Sequence, residues 1–346
     1  MTTRTRYFVI VSLLVLGVGL GSGLVAYYVG FPAKADGPAG GPKELAYVPR
    51  DVSVIAFANV QEIMTSQLRQ KIRRGVPMPE NGQQELQEKT GINLETDVDR
   101  VVACARGQAA SQGLPGAGMV LARGRFDEVK IEALMREHGA RVEDYNGSRV
   151  IVGDASHDIV LGDEPKHVGG SFALSFIEPG LVAFGSTEIV KAAIDLHKVG
   201  SASQTGPQSA TLNDDLMTRV RAMDDANAWA IGRFDTLRGQ AHLPEQVSSQ
   251  IAAITWVSIK THINGGIRGQ ISADARDLEA ANNLRDVVRG FLALAKMQTG
   301  NRPELAAMMQ SLELGGTGQT VSLSFNVPGE VFDLIGALAD SKKIAH

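Results

Sequence analysis

The stretch Val52-Ser-Val-Ile-Ala-Phe-Ala58 decides the fold. It is short, apolar and rich in β-branched and aromatic residues, which is the composition of a buried strand. Asn59 follows, and then a helix whose apolar residues Val60, Ile63, Met64, Leu68 and Ile72 recur at i, i+3, i+4, i+8 and i+12. A strand feeding an amphipathic helix is the repeating unit of an α+β or α/β domain.

Outward from this unit the alternation continues. Val101–Ala105 and Met119–Ala122 read as strands, and Phe126–His138 as a helix with Phe126, Val129, Leu134 and Met135 inward and Gly139 as its stop. Arg149–Val152, Ser171–Ile177 and Leu181–Phe184 supply further strands, the last two joined by the turn Glu178-Pro179-Gly180. Thr187–Lys198 is the next helix. The small polar run Gly200–Gly206 is the best internal boundary. Beyond it come a short helix (Asp214–Met223), a strand (Ala226–Phe234) and an antiparallel pair (Ile251–Thr261 with Gly265–Ile271). A long helix, Arg276 to Thr299, carries Leu278, Ala281, Leu284, Val288, Phe291, Leu292 and Ala295 on one face, so it lies on a sheet. Glu304–Leu312 and Glu330–Leu338 each start just after a proline, as a first helical turn permits.

Two echoes point to duplication. Leu174-Ser-Phe-x-x-Pro-Gly180 recurs as Leu323-Ser-Phe-x-x-Pro-Gly329, and Gly124-Arg-Phe-Asp127 recurs as Gly232-Arg-Phe-Asp235. Their offsets differ, so element order is the better guide. Strand-into-helix junctions fall at Asn59, Arg125, Arg233 and Ala273. Pairing the second with the fourth agrees with the L-S-F echo. The expectation is an α+β fold: two related halves, 45–200 and 207–340, each of mainly antiparallel sheet packed with helices, behind one N-terminal transmembrane helix.

That helix is read from Tyr7–Phe31 (YFVIVSLLVLGVGLGSGLVAYYVGF), which holds no charge. As a helix it would span about 37 Å, enough to cross a hydrocarbon core of ~30 Å. Tyr7, Phe8, Tyr27, Tyr28 and Phe31 bracket it as interfacial anchors do. Arg4 and Arg6 make residues 1–6 a cytoplasmic tail, and a Pro/Gly linker over 32–44 leads to an extracytoplasmic, periplasmic remainder. Ala33-Lys34-Ala35 has the form of a signal-peptidase site, but the apolar run far exceeds a signal-peptide core, so an uncleaved single-pass signal anchor in the inner membrane is expected. Gly17/Gly21 and Gly19/Gly23 form G-x-x-x-G pairs suited to helix packing, including a homodimer through this helix.

Leu45-Ala-Tyr-Val-Pro-Arg-Asp51, Thr90-Gly-Ile-Asn-Leu-Glu-Thr-Asp-Val-Asp99 and the N-N-L-R-D-V-V-R-G-F core within Glu279–Lys296 resemble segments of bacterial membrane-anchored proteins with a duplicated extracytoplasmic α+β domain of unknown function. The resemblance implies that architecture for nearly all of the exported part, and no catalytic residues.

Composition narrows the chemistry. With 44% hydrophobic and 21% charged residues in 346, the chain is an ordinary globular one. A net charge of −4, or −6 once Arg4, Arg6, Lys34 and Asp36 are set aside, argues against nucleic-acid binding. The sequence has no phosphate loop, nucleophile elbow, H-E-x-x-H or EF-hand pattern. Cys104, the single cysteine, lies in an apolar strand and reads as a core residue. Asp154, His157, Asp158, Asp163, Glu164 and His167 crowd 14 residues, and Asp154, His157, Asp158 and His167 are the candidate metal ligands. Their spacing matches no ligand pattern, and Gly153 and Gly162 read as hairpin turns, so a solvated loop is expected there. No cofactor is expected.

The functional expectation is a non-enzymatic, membrane-anchored envelope protein that binds or scaffolds a protein partner. An apolar-ligand or lipid carrier is the first alternative and a metal-dependent hydrolase at the Asp154–His167 cluster the second.

Overall fold

The computed structural model of the chain describes residues 41–75, 87, 91–107, 118–160, 165–199, 206–234, 253–298 and 309–332. In chain order they form a 3-10 turn (Lys43–Tyr47), β1 (Val54–Ala58), α1 (Val60–Met64), α2 (Gln67–Gly75), α3 (Leu94–Asp97), β2 (Val98–Ala105), β3 (Gly118–Gly124), α4 (Glu128–Glu137), β4 (Arg141–Tyr145), β5 (Ser148–Val160), β6 (Pro165–Glu178), β7 (Leu181–Ser186) and α5 (Thr187–Val199). A second 3-10 turn (Ala210–Leu212) leads to α6 (Asp214–Arg221), β8 (Ala228–Arg233), β9 (Ile254–Ile263), β10 (Ile267–Ala275), α7 (Leu278–Gln298), β11 (Glu313–Gly315) and β12 (Thr320–Val327).

Strand β1 is bonded on both sides, antiparallel to β2 and to β8. From that seam one sheet runs out in both directions, in the order β11-β12-β10-β9-β8-β1-β2-β3-β7-β6-β5-β4. The order mirrors itself about the seam. On each side three consecutive strands are followed by a helix, and the next strand to join, β7 or β12, lies beside the third. The register has the same symmetry: a shift of 174 residues carries Val54 to Ala228 and Ala58 to Gly232, turning the pair Val54↔Gly232 into Ala58↔Ala228. The flanking bonds Asn59 N to Asn227 O (2.7 Å) and Arg233 N to Ser53 O (2.9 Å) obey it too.

This corrects the expected α+β fold of two sheet-bearing halves behind a transmembrane helix. The described residues form one twelve-stranded antiparallel sheet with helices added to it, and none of their helices is long and apolar enough to cross a membrane. Tyr7–Phe31 lies outside the described residues. Separate sheets would leave β1 and β8 as open edges with unpaired backbone groups, and pairing them removes both edges. Phe57 stacks on Trp229 across the seam, ring centroids 5.6 Å apart.

The echoes mark other places than expected. Leu174 is on β6, whereas Leu323 is on β12, which occupies the place of β7. The true counterparts are the aspartates that open the helices after β3 and β10. Asp127 accepts from Lys130 N (2.9 Å) and Asp277 from Ala280 N (2.8 Å).

One face of the sheet is covered by the first 3-10 turn, α5, the second 3-10 turn and α6, which enclose the largest core cluster with Ile55, Phe57, Val102, Leu121, Ala183, Trp229 and Ile231. Helices α1, α4 and α7 lie over the other face. Local readings shift accordingly. The expected single helix after β1 breaks at Thr65–Ser66, because the Thr65 hydroxyl donates to Gln61 O and Ser66 Oγ accepts from Arg69 N. In α4 the inward residue is Ile131, while Val129 is 81% exposed. In α7 Ala281 and Leu284 are buried, but Leu278 and Phe291 face out.

Candidate functional site

The segment after the linker crosses the covered face like a strap. Pro42 opens its 3-10 turn, Leu45 N donating to Pro42 O at 3.1 Å. Leu45 and Val48 are buried in the main core beside Ile189, Val190 and Ile194 of α5. Ser209 Oγ donates to Leu45 O (3.0 Å), Ala210 N to Val48 O (2.7 Å) and Arg50 N to Gln208 O (2.7 Å). Pro49 forms an antiparallel bridge with Ser209. Six residues thus touch strands on one side of the seam and the segment that opens the other.

The residue before Leu45 belongs to an ionic cluster on the same face of the sheet. Arg100 on β2 and Arg123 on β3 are directly opposite in register, on the core face with Val102 and Leu121. Glu44, its side chain only 1% exposed, accepts from Arg100 Nε (3.0 Å) and Arg123 Nε (2.6 Å) through one oxygen, Oε1. Its other oxygen, Oε2, is buried without a hydrogen-bond partner. Arg123 also holds Glu178, at the end of β6, and Glu178 accepts from the Tyr47 hydroxyl at 2.9 Å. The Tyr47 ring meets His197 of α5 edge-on, centroids 5.6 Å apart.

The electrostatics follow from these contacts. Burial, then the bond to Glu178, pushes the Tyr47 hydroxyl up to about 12. Burial works to raise the Glu178 carboxyl, but the bonds from Arg123 and Tyr47 outweigh it and hold the group below its ordinary value. Burial also opposes the charge on Arg123, and its two carboxylate partners reverse that, so its pKa rises. Every charge here is paired, and the arrangement grips a segment of chain.

A cleft of about 490 Å³ opens where the strap turns into β1, lined by Pro49, Arg50, Arg106, Pro207, Gln208 and Asn213. Arg50 donates to Gln208 Oε1 (2.6 Å), and Arg106 bridges Asp51 and Glu188 at 2.9 Å each. Both carboxylates are largely exposed, so these pairs contribute little.

The residues singled out from sequence lie elsewhere. Asp154, His157 and Asp158 belong to β5 and His167 to β6, in a long hairpin and not a loop. Gly153 is within β5, facing the Phe172 ring, and marks no turn. Asp158 pairs with His167 but His157 pairs with Val168, so alternation divides the four between two sets of register positions. Asp163 and Glu164 lie outside the described residues, as do Gly17, Gly19, Gly21 and Gly23. Among the residues whose side chains are described, no group of three or more His, Cys, Asp or Glu could hold a metal, and the side chains of Asp154, His157, Asp158 and His167 are outside that set. Cys104 is buried, and burial pushes its thiol up to about 12. Trp229 is in the core, whereas Trp256 is half-buried beneath the Arg219 guanidinium, 4.6 Å from its ring centroid.

Sequence reasoning passed over Glu44, Tyr47, Arg100, Arg123 and Glu178. One signal was present: Arg100 shares the alternation of Val102 and Cys104, and Arg123 that of Leu121 and Met119, so each arginine stands on an inward position of its strand. No known protein family, curated protein or solved structure matches this chain.

Proposed function

We propose that the protein is a non-enzymatic module of the cell envelope, held at the inner membrane by its N-terminal apolar segment and binding or scaffolding a protein partner with its extracytoplasmic sheet. The observation that carries this reading is the strap. A stretch of 25 uncharged residues ends at Phe31, and after a linker of about a dozen residues the chain is fixed to the sheet by Glu44, Leu45 and Val48. A tether needs a firm attachment point, and buried ionic and apolar contacts at its first folded residues supply one. The linker can extend about 40 Å at ~3.5 Å per residue, so the sheet would stay close to the membrane surface.

The cluster supports binding better than catalysis, since its charged groups are committed to one another. The cleft at Arg50 and Arg106 is lined mainly by charged and amide-bearing residues, which suits a polar ligand better than the apolar one of the carrier alternative. Two measurements test the reading. Reporter fusions after residue 45 should be active only outside the cytoplasm, and activity inside would overturn the placement. Covalent cross-linking in intact cells should then join the sheet-bearing part to a defined protein partner. Recovery of the protein uncross-linked, with bound lipid in its place, would favour the carrier alternative.

A further inference from the structure

Arg100 and Arg123 are nearest cross-strand neighbours on a buried face, their side chains 20% and 22% exposed. Like charges directly opposite destabilise a sheet, so such a pair persists only with an anion between them. The sheet supplies Glu178, which reaches Arg123, but not the anion shared by both arginines. That anion comes from Glu44, ahead of β1, on a strap whose other grips are the apolar side chains of Leu45 and Val48 and backbone bonds to 208–210. The two guanidinium Nε groups converge on a single oxygen, and the buried Oε2 stays unpartnered. A carboxylate can accept about four hydrogen bonds, so this one is recognised while part of its capacity is unused.

We propose that Arg100 and Arg123 form a carboxylate-recognition site that Glu44 fills from within the chain, making residues 43–48 a latch whose carboxylate another can replace. The site takes a carboxylate on a short aliphatic stem, followed by an apolar residue at the next position and another at the fourth, as Glu44, Leu45 and Val48 stand. The inference concerns the strap alone and holds whether or not the chain is anchored in a membrane.

Substituting Glu44 by alanine removes four heavy atoms, one methylene and the carboxyl group, and acetate has the same four. The test uses the full-length chain carrying Glu44→Ala, in sodium acetate and in sodium chloride at equal ionic strength. Trypsin cleavage after Lys43 and Arg50 reports release of the strap. Acetate should slow cleavage of this variant about tenfold relative to chloride, the scale of a hydrogen-bonded charge restored. It should not affect the wild-type chain, or Glu44→Gln, whose amide fills the space. Adding Arg123→Met to Glu44→Ala should abolish the acetate effect. Equal cleavage of Glu44→Ala in the two salts, or an acetate effect that survives Arg123→Met, overturns the proposal. If Glu44→Ala folds only in acetate, the site is supported, and if it folds in neither salt the proposal fails.

Discussion

Glu44 is the residue on which the strap depends. With a side chain 1% exposed it neutralises two arginines that face each other across β2 and β3. Losing one member of a buried ion pair strands its partners, typically at 3–5 kcal/mol. Both arginines retain some solvent, so the lower part of that range applies. Glu44→Gln should therefore destabilise the fold by about 3 kcal/mol, read as a drop in the denaturant midpoint at unchanged slope. The neighbouring pair makes the strap sensitive to pH at both extremes. The folded Glu178 carboxyl lies below its ordinary value, so its contribution is complete above the usual carboxylate range and is lost as pH falls through the depressed value. Tyr47 has the opposite sign. Its hydroxyl is raised from 10.0 to about 12, so its contribution is complete below pH 10 and disappears between about 10 and 12. Melting temperature should fall at both ends. Glu178→Gln should flatten the acid limb and Tyr47→Phe the alkaline limb, and a wild-type profile on both limbs in both variants would remove the assignment.

At the level of elements, helix starts are set by single side chains. Asp127 and Asp277 each accept a backbone N–H three residues on, and each opens the helix that follows the third strand on its side of the seam. Asp127→Ala should cost about 1 kcal/mol, and Asp277→Ala should lower the denaturant midpoint in the same direction. The two losses should add, because the caps share no partner in chemical denaturation. These elements were the legible part of the chain. β1, β2, β3, β7, β9, β10 and the helices at 187 and 278 all follow from local apolar patterning and turn residues. The strap cluster was not legible, since its partners are 56, 79 and 131 residues apart and each looks like an ordinary surface charge on its own. Helix faces were read less well than helix positions. In α4 both Val129 and Ile131 suit an apolar face, and the rotation fixed by the Asp127 cap decides for Ile131. The inner part of the β5–β6 hairpin was legible as the strands at 149–152 and 171–177, but its outer part was missed because it is polar and glycine-rich, which locally resembles a loop.

For the whole molecule, the decisive feature is a pairing that no local pattern encodes. The length of the chain and the Gly200–Gly206 boundary both suggest two units, yet β1 and β8 join them into one sheet, and the strap fastens the segment at 206–212 to the first. The seam is buried as deeply as any part of the core: Ile55, Phe57, Trp229 and Ile231 are all in the largest cluster. Were the two sides independent, each would expose an edge strand and a slice of that cluster to water. The sheet-bearing part should therefore unfold in one cooperative transition, with calorimetric and van't Hoff enthalpies in agreement. Trp229→Ala removes a large side chain that stacks on Phe57 across the seam, a loss of about 3–5 kcal/mol. That substitution should lower the single transition without dividing it, and backbone amides of β2, β3, β9 and β10 should lose exchange protection together. Two resolved transitions in calorimetry, with only one of them moved by Trp229→Ala, would show that the halves fold as separate units and that the continuous sheet is a contact between domains.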